Sequence, residues 1–263
     1  MNKHHPIGFF DSGSGGLSVL AAFRQAMPRE NCLYFGDHAY LPYGTKPTEI
    51  IRELTIKACD GLAEQGVKAL VVACNTASTA ALPLLQKRYP FPVLGVEPAL
   101  AEATRLCPSG AILVMATPAT IASPRFKTMS EPYQDRLIPL PCPGLADAVE
   151  SEDESVQIAL LKKLFSSLDK RDICAIVLGC THYPLIKNAI VHVFNKPVLF
   201  VDGYGKLART LHDTLGTAGL LNEQTEPGKI TLSTSGGEET KKRLQRILER
   251  HTNFTLSDNQ GSV

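Results

Sequence analysis

Cys74 closes the apolar run ALVVAC (69–74) and is followed by Asn75 and Thr76. Cys180 closes AIVLGC (175–180) and is followed by Thr181 and His182. Each thiol therefore stands where a buried strand gives way to polar residues. Two such thiols facing one another across a cleft suit one reaction well. Inverting a carbon that bears hydrogen removes a proton from one face and delivers another to the opposite face. One fixed base cannot serve both faces, whereas a thiolate and a thiol exchange roles with direction. A free cysteine ionises at about 8.5, so the base needs a helix N-terminus or a neighbouring cation. His182, two residues after Cys180, is placed to tune or protonate it. Asp11 and Glu150 are candidates to orient a substrate ammonium or assist proton transfer.

The remaining cysteines and histidines have plainer readings. Cys32, Cys59, Cys107 and Cys174 lie in or beside apolar runs and read as packing groups, while Cys142 stays undecided. His4, His5, His192, His212 and His251 read as surface or satisfied core groups. GSGGLS (13–18) has the first two glycines of a dinucleotide fingerprint but Ser18 at the third place. Its glycines are expected to let backbone approach a small anion at a helix start. The opening DSGSGG lacks the second aspartate of a phosphatase nucleophile loop. No phosphate-loop, HExxH or GxSxG motif is present.

These residues need elements to hold them. Strands are predicted at 7–10, 32–35, 69–73, 93–96, 111–116, 137–140, 174–179, 198–201 and 229–233. Several are apolar at every position, as parallel strands covered on both faces must be. Ile50, Leu54, Ala58 and Leu62 predict one face of a helix opening near Pro47. Val156, Leu160, Leu164 and Leu168 predict another, capped by Ser151 and Glu154 with Asp153 near its positive end. Alternation of strand and helix gives an α/β class with mainly parallel sheets.

A repeat organises the whole. Ala69, Val71 and Cys74 recur as Ala175, Val177 and Cys180 at an offset of 106. PVLGVE (92–97) recurs as PVLFVD (197–202) at 105, and Ile7 and Ile112 open similar strands at that spacing. Chance accounts for apolar resemblance between buried strands, but poorly for a cysteine at the same end of both. Two similar halves are expected, with Cys74 and Cys180 meeting in one cleft beyond the strand ends.

Bulk properties exclude other classes. With 27 basic and 26 acidic residues in 263, the chain has no basic excess for nucleic acid or a membrane surface. The cluster Lys241, Lys242, Arg243 reads as the solvated face of a helix. The N-terminal apolar run stops at Asp11, short of a signal sequence, and no run approaches the roughly 18 residues of a membrane span. Seven cysteines without a CxxC pair suit a reducing cytoplasm better than a disulfide framework, and argue against structural zinc.

FDSGSGGL (10–17), GDHAYLPYG (36–44), ACNTAS (73–78), GVEPA (95–99) and GCTHYPL (179–185) strongly resemble the glutamate racemases. The resemblance runs from about residue 6 to the C-terminal helix. It implies two similar α/β domains related by pseudo-twofold symmetry, 1–97 plus 208–263 and 98–207, with the active site between them. It implies interconversion of L- and D-glutamate without pyridoxal phosphate, metal or other cofactor, supplying peptidoglycan synthesis. Cys74 and Cys180 match the two acid/base residues, and Asp11, His182 and Glu150 match residues with assisting roles. Asp11-Ser12, Pro42-Tyr43-Gly44, Asn75-Thr76 and Thr181-His182 match substrate-binding segments, joined by Thr117 and Thr120. Relatives commonly form dimers. Some carry an N-terminal extension that binds a cell-wall precursor as activator; six residues precede the first strand here, so that regulation is not expected. Three other readings stay open on sequence alone: a racemase for aspartate or another amino acid, a two-lobed binding protein, and a cysteine hydrolase using one thiol.

Overall fold

A strand that is apolar on every residue must be covered on both sides, and the fold supplies that cover twice. The computed structural model describes residues 2–257, with side chains as far as Arg250. The side chain of His251, and residues 258–263 of the expected first domain, lie outside what is described. The strands are β1 (Ile7–Asp11), β2 (Cys32–Gly36), β3 (Ala69–Val72), β4 (Val93–Gly95), β5 (Ala111–Ala116), β6 (Leu137–Pro141), β7 (Ile173–Gly179), β8 (Leu199–Val201) and β9 (Ile230–Thr234). Every strand predicted from sequence is present, within two residues at each end. The helices are α1 (Leu17–Ala26), α2 (Thr48–Ala63), α3 (Asn75–Arg88), α4 (Leu100–Leu106), α5 (Pro118–Ala122), α6 (Pro124–Ser130), α7 (Leu145–Glu150), α8 (Glu154–Phe165), α9 (Lys187–Phe194), α10 (Tyr204–Thr217) and α11 (Gly237–Ser257).

Two parallel sheets form, ordered β4-β3-β1-β2-β9 and β6-β5-β7-β8. Reversing the second list gives β8-β7-β5-β6, so β4, β3, β1 and β2 repeat as β8, β7, β5 and β6. Register repeats too: Ile7 pairs with Cys32 and Ile112 with Leu137. The β7–β8 pair departs from this, sliding two residues relative to β3–β4, with Val177 opposite Val201 where Val71 faces Leu94. Alternate residues of each central strand enter different cores. Phe9 and Val71 pack beneath α1, α10 and α11, while Phe10 and Val72 pack against α2 and α3. In the second sheet Leu113 and Met115 face one core, Ile112 and Val114 the other. Each large side chain so buried contributes about 1.5–3 kcal/mol. That cover on both faces is why alternation is missing from the sequence.

The chain returns to the first sheet at its end. Tyr204, Ala208, Leu211 and Leu215 of α10 and Leu244, Ile247 and Leu248 of α11 join the core with Ile7 and Phe9. A boundary at 207/208 would therefore run through α10.

Both predicted helices form, but their buried lines lie one residue on, except that Leu62 belongs to both the predicted and the observed face of α2. In α2 the buried residues are Ile51, Thr55, Cys59 and Leu62, with Ile50 exposed. In α8 they are Gln157, Leu161 and Phe165, with Val156 exposed. A strict fourfold line drifts about 40° per step around a helix of 3.6 residues per turn, and small or polar core residues hide the true face. The cap of α8 also differs from the expected box: Asp153 itself accepts from the N–H groups of Ser155 (2.9 Å) and Val156 (3.2 Å). Cys32 and Cys59 are free and buried, as expected. Cys107 and Cys174 are not separate packing thiols. Cys107, at the end of α4, meets Cys174 of β7 with Cα atoms 6.2 Å apart, and the two are joined as a disulfide. The pair lies at the amino end of β7, six residues before Cys180.

Candidate active site

The carboxyl ends of β1, β2 and β3 face those of β5, β6 and β7 across a narrow cleft. Open parallel sheets gather helix starts and free N–H groups at these ends. The first sheet contributes Ser12, Pro42, Tyr43, Gly44, Cys74, Asn75 and Thr76 to the lining; the second contributes Thr117, Cys180, Thr181 and His182. Asp11, Thr120 and Glu150 sit behind this wall and are tied to it. Thr181 Oγ1 donates to Asp11 Oδ2 at 3.1 Å, and Thr117 Oγ1 to Thr120 Oγ1 at 2.9 Å. The two walls come close: Thr76 Oγ1 is 3.0 Å from Thr117 Oγ1. A Cβ on Gly44 would stand 3.0 Å from Thr117 Cβ. Leu41, Thr45, Pro118, Cys142, Gly144, Ala146 and Asp147 complete the lining without having been expected there.

Cys74 is the residue before α3, so its sulfur sits at the positive end of a helix. Ser12 Oγ lies 3.5 Å from Sγ. Burial pushes the thiol up to about 12, and the charge of Asp11 adds to this; the Ser12 hydroxyl and the Ala77 N–H offset part of it. Cys74 is thus held as a thiol at neutral pH. Asp11 is itself raised by burial, partly offset by the charge of His182 and the N–H groups of Gly13 and Gly16. Asn75 Oδ1 is buried and accepts no hydrogen bond from any described residue.

Cys180 leaves β7 as Cys74 leaves β3. Its sulfur is 3.7 Å from His182 Nδ1, and His182 Nε2 is 2.7 Å from Glu150 Oε1. Burial alone would lower His182, but its links to Cys180 and Glu150 carry it well above its ordinary value. The ring thus stands between the two groups, with one nitrogen toward the carboxylate and the other toward the sulfur. Burial likewise works against charge on Glu150, yet the bond from His182, that charge, and the Ser14 N–H hold it down to about 2. Glu150 therefore favours the folded state fully above its ordinary value of 4.5, and the contribution fades as pH falls through about 2. Glu150→Gln is expected to flatten the acid loss of stability between those limits, read by urea unfolding across pH.

The glycine-rich loop before α1 does meet an anion, though it is the protein's own. Ser14 N–H donates to Glu150 Oε1 at 2.7 Å. A Cβ on Gly15 would stand 2.6 Å from His182 Nδ1, so glycine there makes room for the imidazole. Cys142, undecided from sequence, is a buried wall residue whose thiol donates to Leu140 O at 3.3 Å; burial pushes it up to about 12.

Three further residues are tied to the site without a role expected from sequence, although Asp37 and His38 fall within GDHAYLPYG (36–44). Arg243 is not on a solvated face: it donates to Glu150 O at 2.6 Å and to the Glu150 carboxylate. His38 Nε2 lies 3.7 Å from Glu150 Oε2. Asp37 accepts from Tyr43 OH at 2.7 Å and from Ser235 Oγ at 2.8 Å, fixing the segment that carries Tyr43 and Gly44. The histidines left aside from sequence, His4, His5, His192 and His212, are exposed.

Comparison with known proteins bears on the family and the fold. The Asp/Glu/hydantoin racemase family matches residues 18–209. A glutamate racemase of Clostridium botulinum is 42% identical over 253 residues, covering 94% of this chain and 97% of its own. The structure of a glutamate racemase isoform from Bacillus anthracis superposes with a TM-score of 0.83 at 33% identity, covering 95% of this chain and 94% of that one. A glutamate racemase from Francisella tularensis, solved in complex with D-glutamate, gives 0.80 at 28% identity, again over 95% and 94%. With its two repeated sheets, its shared cleft and this breadth of likeness, the chain belongs to the glutamate racemases of the Asp/Glu/hydantoin racemase family.

Proposed function

We propose that this chain interconverts L- and D-glutamate by moving a proton off one face of Cα and onto the other, with Cys74 and Cys180 as the two bases. The observation that carries the reading is their placement at equivalent strand ends of two repeated sheets, on opposing walls of one cleft. In one direction one sulfur, as thiolate, takes the α-proton while the other, as thiol, gives its own; the reverse direction swaps them. His182 supplies a counter-charge and proton source beside Cys180. Burial and then the charge of Asp11 raise Cys74, and a substrate ammonium beside Asp11 would offset the second of these. Asn75 and Thr76, at the start of α3, together with Ser12, Thr117 and Thr181, offer donors to carboxylate oxygens. Pro42, Tyr43 and Gly44 close over the substrate, and Thr120 steadies Thr117. Glu150 acts through His182.

The same reading divides the chain into two domains as expected, 1–97 with the C-terminal segment and the stretch between, but with the 207/208 boundary moved ahead of α10 (Tyr204–Thr217) so that this helix stays with the first sheet. It makes the product a supply of D-glutamate for peptidoglycan, in the cytoplasm. Among the described residues no helix is long and apolar enough to cross a membrane. Self-association as a homodimer is supported by the family resemblance, and light scattering should then give about twice 28.5 kDa.

Circular dichroism of purified protein tests the activity. L-glutamate and D-glutamate should each relax to an equal mixture without added pyridoxal phosphate and in the presence of a chelator, with aspartate turned over far more slowly. Relaxation of aspartate but not glutamate would move the reading to a different substrate, and no optical change with either would end it.

A further inference from the structure

Glu150 belongs to α7, beside the second sheet, yet the groups that bind it come from both sides of the cleft. His182 is the one from its own side, at 2.7 Å. From the first sheet come the Ser14 N–H at 2.7 Å, the Arg243 guanidinium, and His38 Nε2 at 3.7 Å. Arg243 stands on α11, whose Leu244, Ile247 and Leu248 are packed into the first core. It bonds both the carboxylate and the main-chain carbonyl of Glu150. One turn and two turns further along α11, Arg246 and Arg250 each come within 3.9 Å of Glu152, extending the line across the cleft. Those outer pairs are exposed and weak. Arg243 and Glu150 are different, with side chains 22% and 9% exposed.

We infer that Arg243 is a positioning residue, and that with Glu150 it forms a latch that couples closure of the cleft to alignment of His182 on Cys180. When the walls part, Glu150 leaves Ser14 and Arg243 behind. The carboxylate then loses the one guanidinium N–H group that reaches it, while the other leaves the Glu150 carbonyl, and the imidazole it steers loses its aim at the sulfur. When the walls meet, one event buries the cleft and sets the proton donor. Other bonds cross the cleft, such as Thr76 to Thr117 and Ser18 Oγ to Thr181 O. Among the described residues of α11, Arg243 alone leads through a charged chain to a reacting sulfur. A bidentate guanidinium suits this task because its planar geometry fixes orientation as well as distance.

The kinetic half of this inference rests on the racemase reading; the closure half does not. The variants are Arg243→Met and Arg243→Lys, each measured for kcat and KM with glutamate and for iodoacetamide labelling of Cys74 by mass spectrometry. Cys59, buried beneath α2 on the other face of the first sheet and outside the cleft lining, reports general loosening. For Arg243→Met we expect kcat to fall about 10²-fold with KM little changed, as for a modest misplacement of a catalytic group. Cys74 should be labelled several times faster than in the wild type while Cys59 keeps its rate, and Arg243→Lys should recover part of both. Wild-type labelling of Cys74 in Arg243→Met would overturn the latch. So would Cys59 reacting faster in step with Cys74, since the arginine would then merely hold the fold. Should the wild-type protein prove inactive on glutamate, the labelling comparison still decides closure.

Discussion

Cys74→Ala and Cys180→Ala are each expected to lower glutamate racemisation by about 10³–10⁴-fold or more, the upper range for loss of an acid/base group. Neither should unfold the protein, because each sulfur is at the cleft edge of its core rather than at its centre, and far-ultraviolet circular dichroism should be unchanged. The two variants should fail in mirror-image ways. A chain retaining one thiolate can still take the α-proton from the enantiomer that presents hydrogen to it, and return a solvent-derived proton to the same face. Slow exchange in deuterated solvent is therefore expected for one enantiomer in Cys74→Ala and for the other in Cys180→Ala, read by proton NMR. Exchange of the same enantiomer by both variants would put both sulfurs on one side of the substrate.

His182→Asn is expected to have the next largest effect, about 10²–10³-fold on kcat. Asparagine keeps a donor near the sulfur but cannot carry the charge that Glu150 holds on the ring. The pH dependence follows from the direction of the shift. His182 is raised in the folded protein, so its ion pair contributes fully below the ordinary histidine value of 6.5. That contribution is lost as pH rises through the higher folded value. Wild-type stability should accordingly decline on the alkaline side of 6.5, and His182→Asn should flatten that decline. Denaturant midpoints across pH check this; an unaltered slope in the variant would mean that the ring is neutral.

Much of this was legible in the residues themselves. Parallel strands buried on both faces leave continuous apolar runs, and ALVVAC and AIVLGC mark both the strands and the point where each releases a sulfur. The repeat offset anticipated the shared strand order because topology was duplicated along with sequence. What was hidden depended on approach in three dimensions. Arg243 sits beside Lys241 and Lys242 and looks like any solvated helix face, since only the packing of α11 on the first core turns it toward Glu150. His38 and Asp37 act through partners more than a hundred residues away, Glu150 and Ser235. Thr55 and Gln157 are buried polar residues that displaced the expected helix faces by one position. Cys107 and Cys174 are 67 residues apart, and no local pattern announces their meeting.

Two bases of opposite facing leave a label pattern that one base cannot. If L-glutamate is converted in deuterium oxide and sampled early, the D-glutamate formed should carry deuterium at Cα while the remaining L-glutamate keeps its hydrogen. Deuterium in both pools from the start, or D-glutamate that retains the original hydrogen, would contradict proton delivery by a second thiol across the cleft.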